Sequence, residues 1–165
     1  MVDRAATPPS PGQPSDFEKL GGEPALRAII DRFVDRVMDD LMIGFLFARV
    51  NRAHLKRLEY EFAATHLGAE VHYTGRPLEK AHERHPILGG QFNRRLKILE
   101  RTLTELGAPP DVAERWLAHN EALRPLITRD GSSECDPTRA AEWAASAALR
   151  RKLGRDGGSH GEHGS

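Results

Sequence analysis

Apolar residues recur at helical rather than strand spacing along most of this chain. Ser15 followed by Glu18 is typical of a capping box, and it predicts a short first helix that ends at the glycine pair Gly21-Gly22. The second helix is predicted to run to about Met38. Its apolar face consists of Leu26, Ile29, Ile30, Phe33 and Val37. Because no segment alternates apolar and polar residues for long, the predicted fold class is all-α.

A capped helix, a loop and a very short helix are predicted for the middle of the chain, after an irregular apolar stretch at residues 41–50. Asn51 is placed to cap the third helix. The apolar stripe of that helix consists of Leu55, Leu58, Phe62 and His66. A loop of roughly eight residues, bounded by glycines and a proline, follows. A short helix that carries Leu78, Ala81 and His82 is then predicted, and it ends before Pro86.

Two longer helices are predicted to complete the core. Gly89-Gly90 opens the first of them and Gly107 ends it. Its apolar face consists of Phe92, Leu96, Leu99, Leu103 and Leu106. Pro109-Pro110 starts the other, which we expect to reach Ile127 with a kink at Pro125.

Composition separates a folded unit, expected at residues 16–130, from two polar ends. Residues 1–15 are rich in proline and are predicted to be disordered or polyproline-like. Residues 131–153 are expected to form a linker and an alanine-rich helix capped by Asp136. The Gly/Ser/His-rich tail, residues 154–165, is predicted to be disordered because it has almost no apolar surface to bury.

Charge and cysteine content narrow the function classes. The 165 residues include 24 Lys+Arg and 24 Asp+Glu, a balance that argues against a nucleic-acid or anionic-membrane binder. No apolar run is long enough to span a bilayer, and the N-terminus has no secretory signal. The lone Cys135 fits a reducing compartment, so we expect a cytoplasmic protein.

His82 is the first candidate functional residue, because its short helix presents it beside Leu78 and Ala81. An imidazole on an apolar face can bind a metal through one nitrogen while an acceptor orients the other. The alternative is a solvated surface histidine. A zinc site that combines His82 with His85 is a weaker possibility, because no cysteine or acidic ligand completes the spacing.

Two charged residues stand inside apolar stripes. Glu59 lies between Leu55 and Phe62 on the third helix, and Arg95 lies next to Leu96 on the fifth. Burying an unpaired charge costs several kcal/mol, so such residues are normally paired or functional. The alternative is that each side chain extends to solvent along the apolar surface.

Taken in order, these segments resemble the truncated haemoglobins, the short two-over-two helical members of the globin superfamily. The likeness covers about residues 16–130. It rests on the segments FEKLGGEPALRAIIDRF, IGFLF, LGAEVHYTG, GRPLEKAH and PILGGQF and on the closing helix. Group 1 of the family, with paired glycines after the first helix and a Tyr-Thr-Gly loop, fits best. Ala69 departs from that pattern, since it replaces the second glycine of the usual loop pair.

The resemblance implies a haem b cofactor whose iron is held by His82 as proximal ligand, the only predicted metal ligand. Phe47 matches the phenylalanine that packs on the haem ring. Other side chains expected around the cofactor are Phe33, Phe45, Leu58, Phe62, Leu78 and Tyr73. Cations expected near the haem edge, where they could meet the propionates, are Lys56, Arg57, Lys80 and Arg84; Tyr73 and Thr74 could reach a propionate from the loop.

The side of the haem opposite His82 departs from the family. Val34 replaces the usual tyrosine, and Leu55 occupies a position near the ligand. Glu59 stands where glutamine is frequent, and Arg95 where an apolar residue is common. We therefore predict that Glu59 and Arg95 approach each other above the haem, which leaves Arg95 as the strong donor for a bound ligand or anion.

The implied function is reversible binding of a diatomic gas, O2, CO or NO, at the iron. One alternative is a haem enzyme for NO dioxygenation, nitrite reduction or peroxidase-like chemistry. We recognise no reductase domain in the chain, so that enzyme would take electrons from an external reductase. Two further alternatives are a haem-based sensor and a helical interaction module without haem.

Overall fold

The computed structural model of this protein describes residues 12–129. The predictions for the proline-rich residues before 12, for the helix within residues 131–153 and for the tail 154–165 lie outside the described residues. One compact unit of the chain ends at Arg129. Within residues 12–129, no helix is both long and apolar enough to cross a bilayer.

The first two helices, α1 (Asp16–Leu20) and α2 (Gly22–Met38), meet at a sharp glycine corner. The predicted capping box is confirmed, because the backbone N–H of Glu18 donates to Ser15 Oγ and the Glu18 carboxylate accepts from the Ser15 N–H. Gly21 takes the left-handed conformation, with φ 110°, and this allows α2 to begin directly behind it.

Five further helices follow a 3-10 turn at Gly44–Phe47. They are α3 (Arg52–His66), α4 (Leu78–His82), α5 (Gly89–Glu105), α6 (Pro110–Ala122) and α7 (Arg124–Ile127). Asn51 caps α3 as predicted, since its side chain accepts from the His54 N–H. The predicted kink at Pro125 takes the form of a one-residue interruption at Leu123, whose backbone stays in the αR region, and Pro125 lies in the first turn of α7.

The core lies between two packed pairs of helices, α2 with α3 and α5 with α6, which are joined by contacts of α2 with α5. This is the predicted all-α two-over-two sandwich. The buried side chains at its centre include Leu26, Phe33, Leu99, Leu103, Val112 and Trp116. The short helix α4 packs against α7 beside this core. A single parallel β-bridge joins Ile87 to Thr128, outside any β-strand of residues 12–129.

Candidate functional site

His82 ends the one-turn helix α4, and its ring is oriented by that helix. Its Nδ1 lies 2.7 Å from the carbonyl oxygen of Leu78, one turn earlier. A carbonyl can only accept a hydrogen bond, so Nδ1 is the donor, and Nε2 is the ring nitrogen that remains for another partner. This is the arrangement that an imidazole needs to bind a metal through Nε2.

One face of α3 and the loop before α4 carry further candidate residues. Leu55, Glu59 and Phe62 follow one another at helical spacing on α3, and each is partly buried. The ring of Phe62 meets that of Tyr73 edge-on, with centroids 5.3 Å apart. The Tyr73 hydroxyl donates to the carbonyl of Arg76 over 3.1 Å, which fixes the loop just before α4.

Glu59 and Arg95 form the ion pair that their positions in the sequence predict. Arg95 Nη2 lies 2.7 Å from Glu59 Oε1, and the two side chains are only 23% and 24% exposed. The guanidinium also lies over the ring of Phe33, 4.9 Å from its centroid. The alternative that both side chains extend to solvent is therefore wrong.

Asn120 on α6 joins Glu59 and Arg95 in one cluster, although its position in the sequence did not single it out. Its Oδ1 accepts from Arg95 Nη1 over 3.2 Å, and its Nδ2 donates to the carbonyl of Trp116 over 3.0 Å. Asn120 is only 9% exposed. An amide one turn after Trp116, on the buried face of α6, was the available signal in the sequence.

The remaining predicted cofactor-binding residues differ in burial. Phe33 and Val34 are buried, at 2% and 1% exposure, whereas Phe47 is partly buried and packs against the core. Leu58 and Leu78 are also partly buried. Phe45 in the 3-10 turn is 64% exposed and does not pack against the core, so its place beside the cofactor stays a prediction.

The cations predicted at the haem edge fall into two groups. Lys56 is engaged with Asp35 at 3.0 Å, and Arg57 lies between His54 and Glu61. Thr74, expected to reach a propionate, instead donates to Glu61 through its N–H and its hydroxyl. Lys80 and Arg84 line an open groove of about 410 Å³ together with Arg76, Ala81, Glu83 and His85.

Comparison with known proteins places this geometry in a family. The family model of bacterial-like globins matches residues 15–128. The chain is a group 1 truncated haemoglobin. A group 1 truncated haemoglobin of Mycolicibacterium paratuberculosis is 30% identical over 113 residues, which cover 68% of this chain and 83% of that protein. One from Tetrahymena thermophila is 31% identical over 100 residues, which cover 61% of this chain and 83% of that protein.

Solved structures show the same fold for this truncated haemoglobin. The ferric form of the truncated haemoglobin from Tetrahymena pyriformis matches with a TM-score of 0.67 and 26% identity, over 71% of this chain and 100% of that one. The haemoglobin of Chloroflexus aurantiacus matches with a TM-score of 0.64 and 25% identity, over 71% of this chain and 100% of that one. As a truncated haemoglobin, the chain binds haem.

The donor chemistry of this truncated haemoglobin fits that cofactor. His82 presents an imidazole whose Nδ1 donates to a backbone carbonyl, which leaves Nε2 as the nitrogen for a metal. The partly exposed apolar side chains Leu55, Leu58 and Phe62 offer a hydrophobic surface for a ring system. A zinc site has no such support, because residues 12–129 contain no cluster of three or more His, Cys, Asp or Glu that could hold a metal ion.

A stacked pair of histidines lies behind Phe62. The rings of His66 on α3 and His119 on α6 are 3.7 Å apart and nearly parallel, at 7°. His119 also stacks on Phe62, with centroids 5.8 Å apart. Burial, together with the neighbouring His119, lowers the pKa of His66 to about 4, and burial lowers the pKa of His119. Both rings are therefore neutral at physiological pH.

Proposed function

We propose that this globin reversibly binds a diatomic ligand, O2, CO or NO, with haem b held by His82. The observation that carries the proposal is the bond from His82 Nδ1 to the carbonyl of Leu78, because it leaves Nε2 available. When bound, haem supplies an iron whose coordination position opposite the histidine is open to such a ligand. The lone cysteine supports a reducing, cytoplasmic setting for this function.

The residues of the chain set how the ligand is held. The apolar surfaces of Leu55 and Phe62 limit the access of water to the site. Val34 cannot donate a hydrogen bond, so a ligand loses the donor that a tyrosine would provide at that position. Arg95 is the strong donor within the Glu59 and Asn120 cluster that could take its place.

Absorption spectroscopy tests the cofactor part of the proposal. We expect the purified protein to show a Soret band, and His82→Ala to lose it or to recover it only with added imidazole. His85→Ala is the matched control, since this exposed histidine lies one turn further on and should leave the band unchanged. A full Soret band in His82→Ala without imidazole would contradict His82 as the ligand.

The oxygen dissociation rate tests the part of the proposal that concerns the bound ligand. Val34→Tyr introduces a hydroxyl donor next to buried Phe33, and we expect slower oxygen release than in the parent. A hydrogen bond to a polar ligand contributes about 1 kcal/mol, or roughly a fivefold change in rate. Equal rates in the parent and the variant would count against the assigned position of Val34.

A second candidate function is a haem enzyme for NO dioxygenation, nitrite reduction or peroxidase-like chemistry. The Glu59 and Arg95 pair favours it, because an acid and a guanidinium can relay a proton and stabilise developing negative charge. Electrons would come from an external reductase. Steady-state turnover with a reductant that is lost in Glu59→Gln would support this function, and a parent protein that shows no turnover would argue for simple binding.

A further inference from the structure

We propose that Glu61 on α3 is a positioning residue for His82, because it holds in place the loop that leads into α4. Glu61 acts through this loop and not by contacting the haem. The proposal rests on the proposed function, since the imidazole that Glu61 positions is the proposed ligand of the iron. It is carried by two hydrogen bonds from Thr74 to the Glu61 carboxylate.

Both of these hydrogen bonds end on one oxygen of Glu61. Its Oε2 accepts from the Thr74 N–H over 2.9 Å and from the Thr74 hydroxyl over 2.7 Å. The same bonds hold the pKa of Glu61 below its usual value, so the carboxylate is ionised at neutral pH and both bonds are charge-assisted. The other oxygen, Oε1, lies 3.8 Å from Arg57 Nε, and the Glu61 side chain is only 13% exposed. The carboxylate is therefore held against the loop.

The start of the loop is bonded to α3 as well. The Thr65 hydroxyl lies 2.8 Å from the carbonyl oxygens of Glu61 and Val71, so it joins the last turn of α3 to the loop. In residues 12–129, the bonds at Thr74 are the last hydrogen bonds that this loop makes to α3 before α4 begins at Leu78. The Glu61 carboxylate is thus the final attachment on the way to His82.

The chain between Thr74 and α4 has little freedom of its own. The Tyr73 hydroxyl donates to the carbonyl of Arg76 over 3.1 Å and so closes the loop on itself. Gly75 allows this closure, because a Cβ at that position would lie 2.1 Å from the Tyr73 hydroxyl oxygen. A displacement of Thr74 would therefore be passed on to α4 instead of being absorbed in the loop.

The helix that carries the imidazole is too short to keep its place alone. α4 has five residues, and a single helical turn is marginally stable in isolation. It packs against α7 on one side. At its N-terminus it is joined to the tethered loop through Pro77, whose ring restricts φ. The attachment at Glu61 therefore determines the N-terminal end of α4, and with it the place of His82 at the other end.

Amide hydrogen exchange of the full-length protein as purified tests the attachment itself. The Ala81 N–H donates to the Pro77 carbonyl over 2.9 Å, so its exchange rate reports on the opening of α4. We expect Glu61→Ala to speed this exchange about 5- to 10-fold, because two bonds to a charged acceptor are lost. Glu100→Ala is the matched control, since this glutamate on α5 pairs with Lys97 and should leave the exchange unchanged.

Haem loss to an excess of an apoglobin acceptor, followed in the Soret region, tests the consequence for His82. Glu61→Ala should release haem about 5- to 10-fold faster than the parent. The Fe–His stretching band of the ferrous protein should also shift or broaden, which a loss of global stability alone would not cause. Glu61→Gln keeps an oxygen that can accept from Thr74, so its rate should stay within about twofold of the parent.

Thr74→Val identifies the partner, because it removes the hydroxyl and keeps the backbone N–H. Alone it should speed haem loss about two- to fivefold, and in the Glu61→Ala background it should add nothing, since its acceptor is already gone.

Three results would overturn the role of Glu61. The first is Glu61→Ala with haem loss and Ala81 exchange equal to those of the parent. The second is a set of effects of Glu61→Ala and Thr74→Val that add. The third is faster haem loss that only follows a lower stability in urea, with the Fe–His band unchanged. A parent without a Soret band would overturn the proposed function, and the positioning of an iron ligand with it.

Discussion

Acid should destabilise this globin through the stacked pair of His66 and His119. Burial holds the pKa of His66 in the folded state at about 4, whereas the usual value is 6.5. Below about pH 6.5 the unfolded chain therefore binds a proton that the folded chain does not. Stability is fully present above that pH and is lost as the pH falls towards 4. The pKa of His119 is also lowered by burial, so its contribution has the same sign.

The size of this acid effect on stability follows from the shift in the pKa of His66. A depression of roughly 2.5 pH units corresponds to about 3 kcal/mol once the pH is below both values. Between about pH 7 and pH 5 the loss is at most about 2 kcal/mol. His66 is partly exposed, and water screens part of that amount, so we expect about 1 kcal/mol. Asp16 opposes the shift in the His66 pKa, although it does not reverse it.

Urea unfolding of the parent and of His66→Phe, each at about pH 7 and about pH 5, measures this contribution. The phenyl ring preserves stacking on His119 but cannot be protonated, so the variant should lose less stability on acidification than the parent by about 1 kcal/mol. His72→Phe is the control, because His72 is exposed and the pair does not include it. Equal acid sensitivity in the parent and in His66→Phe would refute the reasoning.

Three other substitutions test how the fold is packed. Gly44→Ala should destabilise the protein by about 1–3 kcal/mol, because its Cβ would lie 2.5 Å from the backbone oxygen of Met38. Gly90→Ala, which meets no atom within 4 Å, should be neutral or stabilising by up to about 1 kcal/mol, since it lies in α5. Thr102→Val should cost about 1–2 kcal/mol, because the buried hydroxyl accepts from Arg36 over 3.1 Å. Thermal unfolding of each variant measures the change, and a Gly44→Ala as stable as Gly90→Ala would contradict the packing described at the 3-10 turn.

The helix boundaries could be predicted because their signals are local. The capping box of Ser15 and Glu18 and the cap at Asn51 each satisfy backbone donors within three residues, so the sequence alone specifies them. The interruption of the helix at Leu123 could not be predicted as accurately. A proline in a helix predicts a disturbance, and its form depends on how α7 packs against α4.

The Glu59 and Arg95 pair was predictable because each charge violates an apolar stripe, and two such violations at one site have a common explanation in pairing. Asn120 and the stacking of His66 on His119 were not predictable in the same way. Both depend on the rotation of α6 against α3 and α5, which periodicity along one helix does not determine.

The parallel bridge between Ile87 and Thr128 links the end of the globin unit to the segment that follows His82. The N–H of Arg129 donates to the carbonyl of Ile87 over 3.1 Å, and its guanidinium donates to the carbonyl of Glu83. Arg129 therefore ties the end of the described unit to Glu83, the residue directly after His82. A change that displaces Arg129 would act on the turn that carries the imidazole, although Arg129 is 47 residues further along the chain.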